Sequence, residues 1–127
     1  MRSYDAKLVA HAIGAKPKWV DNLLSHHELP GVERSRQGVQ RRISADGLLA
    51  IEMVRLLITD VGMPAERAAR VVRSLLVDAT ASELHFATES GLHVTVQATT
   101  IRRRLHDQMR AAVESVPRPK RGRPRLS

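Results

Sequence analysis

Apolar residues recur at intervals of three and four through most of the chain, the spacing that puts them on one face of a helix. Leu8, Val9, Ala12 and Ile13 predict a first helix from about Asp5 to Ile13, with Ser3 or Asp5 as N-cap and Gly14 ending it. Pro17 suits the opening position of a second helix, where its missing N–H is no loss, and Val20, Leu23 and Leu24 carry its inward stripe to about His26. Pro30-Gly31 breaks the pattern. Ser44 then caps a strongly apolar helix running from Leu48 to Ile58, which Gly62 stops. Pro64 starts a fourth, whose buried face is Ala65, Ala68, Ala69, Val72, Leu75 and Leu76.

Two stretches depart from helical spacing. Residues 32 to 43 are dense in Arg and suit two short strands joined by a turn over Ser35 to Gly38. From Leu84 the period is two. Leu84, Phe86 and Thr88 face one way, Glu89-Ser90-Gly91 turns, and Leu92, Val94 and Val96 return on the same face, leaving His85 and His93 on the other. Thr99 or Thr100 is placed to cap a last helix to about Ser115, with a stripe of Ala98, Ile101, Leu105, Met109, Ala112 and Val116. A lone hairpin and one helix are marginal, so that stripe must meet the hairpin, the first unit or another chain. The expected organisation is mainly α: a unit over 1–77, a hairpin and helix over 78–116 as a possible dimerisation element, and a tail over 117–127.

Composition narrows the partners. The 127 residues include one Trp, one Tyr and one Phe, so the core must be aliphatic and a stacking surface for single-stranded bases is not expected. The absence of Cys excludes disulfides and thiolate metal sites. With no long apolar run and no signal peptide, the chain reads as soluble and intracellular, in the bacterial cytoplasm and nucleoid. The net charge of +8 is polarised: residues 1 to 43 hold eight basic and four acidic side chains, 44 to 98 four and seven, 99 to 116 four and two, and the tail five and none. Basic ends flanking an acidic middle fit a protein whose ends face phosphates.

Two short helices joined by Gly14-Ala15-Lys16 read as a helix-turn-helix. In that motif the second helix enters the major groove by its N-terminal end, here carrying Lys16, Lys18, Trp19 and Asn22. Asn22 suits an adenine edge and the lysines phosphate or guanine, whereas Trp19, in line with Leu23, reads better as a packing residue. Arg34, Arg36, Arg41 and Arg42, with Gln37 and Gly38 between them, lie on a hairpin too polar to bury anything and suit a DNA backbone or minor groove. Arg102, Arg103 and Arg104 circle a helix, so at most two share a face, and a phosphate clamp competes with plain solubility. In the tail, Arg121-Gly122-Arg123-Pro124 followed by Arg125 resembles the AT-hook, with Lys120 where that family usually has Pro. The resemblance implies arginines inserted into an A·T-rich minor groove beside a glycine that lets the backbone approach.

From Tyr4 to Leu76 the order of elements resembles the winged helix-turn-helix of MerR-type bacterial regulators. Carrying the resemblance are Val9-Ala10, Gly14, Val20, Leu29-Pro30, Arg41-Arg42-Ile43-Ser44 and Asp60-Val61-Gly62-Met63. It implies a phosphate-binding wing and a base-reading second helix. Two features depart from the family: Asp21 and Asn22 stand where it usually has Arg and an aromatic, and a hairpin replaces its long dimerising helix. A hairpin and one helix also leave little volume for a drug-sized ligand. No nucleophile, base and orienting acid fall into a recognisable arrangement, no glycine loop cradles a phosphate, and His26-His27, His85 and His93 lack a completing ligand set, so neither catalysis, cofactor nor metal is expected. The expected function is a sequence-specific DNA-binding transcriptional regulator acting as a homodimer. An architectural, excisionase-like protein is one alternative; an antitoxin or phage adaptor whose C-terminal half binds a protein is the other.

Overall fold

Five helices and a two-stranded antiparallel sheet make up the computed structural model, which describes residues 3–33, 41–78 and 80–115. In chain order they are α1 (Ala6–Ile13), α2 (Pro17–His26), α3 (Ala45–Thr59), α4 (Ala65–Leu75), β1 (Glu83–Ala87), β2 (His93–Gln97) and α5 (Ala98–Ser115). The expected Arg34, Arg36, Gln37 and Gly38 turn and the tail residues Arg121, Gly122, Arg123, Pro124 and Arg125 lie outside the described residues.

Local chemistry sets the boundaries. The Asp5 carboxylate accepts from Leu8 N–H at 2.8 Å and opens α1; Gly14 closes it at φ 76°, where a side chain would be strained. Ser44 Oγ accepts from Gly47 N–H at 3.2 Å at the start of α3. Pro64 sits one position before α4 rather than inside it, as its N-cap. α5 departs more from expectation: β2 runs into it without a loop, so Thr99 and Thr100 lie in its first turn and do not cap it. Between α4 and β1, Thr80 donates to the exposed Asp78 carboxylate from its hydroxyl at 2.7 Å and its N–H at 3.1 Å, holding that acid below the usual carboxylate range.

The hairpin register pairs Leu84 with Val96 and Phe86 with Val94, so the apolar residues share one face, while His85 pairs with Thr95 and Ala87 with His93. At the other end of the molecule the backbone makes a small three-way junction. Ile43 bridges both Tyr4 and Val32, the Tyr4 bridge being made by Tyr4 N–H to Ile43 C=O at 2.8 Å and Ile43 N–H to Tyr4 C=O at 2.9 Å. Glu33 N–H adds a bond to Arg42 C=O at 2.9 Å, so residues 32–33 and 42–43 run antiparallel.

α3 is the hub. Every residue from Gly47 to Val54 is buried, as expected of a helix covered on all sides by other elements. α4 and α5 pack on it, and α5 also lies along α1. Leu105, Met109 and Ala112, the stripe that lacked a partner in the sequence, are buried in this arrangement, so it meets the first unit and not another chain. One of the two observations behind the homodimer expectation, the uncovered stripe, is thereby removed, while the other, the acidic middle, is unaffected. The core is aliphatic, as composition requires: Tyr4, Trp19 and Phe86 are only partly buried at its margin.

Candidate nucleic-acid interface

α2 presents two rows of polar side chains, because residues four apart lie one above the other on a helix. Lys18 and Asn22 form one row and Asp21 and Ser25 the other, all four exposed. Beneath them, Val20 and Leu23 are buried and Trp19 is half-buried against the core. Trp19 is therefore a packing residue in this arrangement. Lys16 is exposed at the N-cap, and Pro17 follows it at the first helical position. Helix N–H groups that lack an intrahelical acceptor make such an end favourable for an anion.

Arg41 belongs to the second row's geometry. Its Nη2 donates to Ser25 Oγ at 2.9 Å and its Nη1 lies 3.5 Å from the Asp21 carboxylate, so it ties the strand before α3 to the exposed face of α2. Its side chain is only 20% exposed, against 58% for Asp21. Arg41 is thus held by Ser25 and paired with Asp21 in the unbound chain. The pairing also gives Asp21 a role that the sequence left unexplained, since a lone carboxylate on this face would repel phosphate. Arg42, the next residue, is exposed. Lys16, Lys18 and Asn22 are exposed as well. Arg73 Nη1 donates to Glu28 C=O at 3.2 Å, bracing the end of α2's exit segment from α4.

The histidines are placed without forming a cluster. His26 Nδ1 lies 2.8 Å from Asn22 C=O at the end of α2, and His85 Nδ1 3.1 Å from Thr95 Oγ1 on the hairpin. Among the described residues no group of three or more acidic or imidazole side chains could hold a metal.

Sequence reasoning missed Glu52 entirely. It sits in the middle of α3 with no exposure, and Arg55 grips both its oxygens at 2.6 and 2.9 Å while Arg104 of α5 donates at 2.9 Å. The pKa of the Arg55 guanidinium is raised above its ordinary value by the hydrogen bond it donates to Glu52, against a smaller opposing effect of burial. The only signal in the sequence was a lone acid inside an apolar run. Its partner resolves the ambiguous arginine triplet: Arg104 clamps α5 to α3, Arg102 donates from Nη1 to Ala81 C=O at 3.4 Å, and Arg103 is exposed.

No family model matches this chain, and neither a curated protein nor a solved structure matches it significantly. No helix among the described residues is long and apolar enough to cross a membrane.

Proposed function

We propose that the chain is a sequence-specific, duplex-DNA-binding transcriptional regulator built on a winged helix-turn-helix. α1 and α2 are its two helices, the latter entering the major groove, and the segment rooted at residues 32–33 and 42–43 is its wing. The single observation that carries the reading is the Arg41 contact to Asp21 and Ser25. It ties the residue beside the proposed wing root to the exposed face of α2, which supports Lys18 and Asn22 meeting the same duplex as the wing. Asn22 is the base reader, because its amide can donate to and accept from an adenine edge at once; the cations position the helix on phosphates. Arg34, Arg36, Gln37 and the R-G-R-P tail extend the same surface chemistry along the chain.

The test is selection of a preferred duplex from a random pool, followed by anisotropy titrations of single-base variants. Asn22→Ala should lose about 1–3 kcal/mol of discrimination at one base pair and leave others unchanged. Equal affinity for selected and random duplexes would sink the regulator and favour the architectural alternative. Failure to bind either at low salt would remove the DNA reading altogether.

A further inference from the structure

The packing of α5 against Tyr4 and the start of α3 leaves a half-open groove of about 560 Å³, where the sequence had implied little room for a ligand. Its floor is apolar, formed by Tyr4, Leu48, Leu105 and Met109, and Val113 stands 52% exposed at one wall. Its rim is cationic: Arg102, Arg103 and Arg110 all line it, with His106 between them and Glu114 as the one acid. Arg103 and Arg110 hold no ion pair among the described residues. Arg102 is turned instead toward the α4–β1 segment, where its Nη1 donates to Ala81 C=O at 3.4 Å and its charge faces Asp78, so Arg103 and Arg110 are the cations free to meet a ligand.

We infer that this groove binds a small amphipathic organic acid, with its apolar body along Leu48, Leu105 and Met109 and its acidic head on the arginine rim. The volume lies in the range of small-molecule sites, and an apolar lining with a few polar groups to fix orientation is the usual composition of one. Charge selects the occupant. The chain's own tail carries five basic and no acidic residues, so it is repelled from this rim. The site is distinct from the α2 surface, and the inference does not depend on the DNA reading.

The probe is decanoate, titrated into the full chain without DNA and followed by backbone amide shifts, with decyltrimethylammonium as the cationic counterpart. Saturable shifts at Tyr4, Leu105, Met109 and Val113 are expected with decanoate and not with the ammonium. Val113→Trp fills the groove from an already exposed position, and Arg103→Gln with Arg110→Gln neutralises the rim at exposed sites; each should weaken decanoate at least tenfold. Equal response to both detergents, shifts scattered over the surface, or undiminished binding in Val113→Trp would overturn the inference. So would a short duplex DNA that shifts the rim residues while decanoate does not, because the cations would then belong to a polyanion surface.

Discussion

Gly31 and Gly47 meet where the root formed by residues 31–33 and 42–44 joins α3, and neither has space for a side chain. Gly31 has φ +79°, and a Cβ there would collide with the backbone N–H of Gly47, while a Cβ on Gly47 would press on Gly31 C=O at 2.5 Å. The close approach lets Gly31 C=O accept from Ser44 N–H at 2.9 Å and Ser44 Oγ at 3.0 Å, locking the helix cap to the root. Gly31→Ala should therefore destabilise by roughly 2–4 kcal/mol, adding left-handed strain to a backbone clash. Chemical denaturation measures it. Gly62→Ala is the control, since it has a similar φ of 81° with open space around it and should cost only the strain. From sequence, Pro30-Gly31 was legible as a break; its contact with Gly47, sixteen residues on, was not, because nothing local marks which backbones will touch.

At the scale of elements, the Glu52–Arg55–Arg104 cluster sets how α5 lies on α3. The carboxylate has no exposure, whereas Arg55 and Arg104 keep 26% and 38% of their side chains in contact with solvent. That asymmetry decides the outcome of breaking it. Arg55→Met with Arg104→Met strands a buried charge and should cost about 3–5 kcal/mol. Glu52→Leu should cost clearly less, because both guanidiniums retain a path to water and the new side chain is apolar among apolar neighbours. Thermal unfolding of the three proteins separates the cases; a larger loss for Glu52→Leu would mean the arginines depend on the acid more than it depends on them. The helices themselves were legible because amphipathic spacing, Ser44, Gly14 and Pro17 act within a turn or two of chain. The alternating residues likewise announced the hairpin and its apolar face, which the observed register matches. The pairing of Glu52 with Arg104, fifty-two positions apart, needed the tertiary packing.

Across the whole molecule, α5 completes the core that the first four helices begin. Fragment 1–77 lacks Leu105, Met109 and Ala112, so it should fail to unfold cooperatively and should expose apolar surface of α1 and α3. Circular dichroism with a hydrophobic dye checks this; a sharp transition for the fragment would show that it is an autonomous unit. The proposed DNA interface makes its own prediction at this scale. With about six to ten phosphate contacts, log affinity should fall against log salt with a slope of roughly −5 to −9, and Lys16→Gln with Lys18→Gln should reduce that slope by about two. Removing residues 117–127 should weaken binding by roughly one to three orders of magnitude while the preferred site stays the same. Loss of sequence preference in that truncation would move base reading from α2 to the tail.

Sequence alone determined the five helices and the Leu84–Val96 hairpin, the aliphatic core and the separation of basic ends from an acidic middle; of the two short strands expected over 32–43, only isolated bridges at Val32 and Ile43 are seen among the described residues. Each of these depends on periodicity, caps or composition, which act locally or add up along the chain. Only the tertiary structure decided that α5 folds back on α1 and α3, that Arg41 is held by Ser25 and paired with Asp21, that Glu52 is clamped by two arginines, and that a cationic groove opens beside Tyr4. Those are contacts between residues far apart in sequence. An apolar stripe states that it must be covered, and an arginine that it can pair, but the choice of partner is made by how the helices pack.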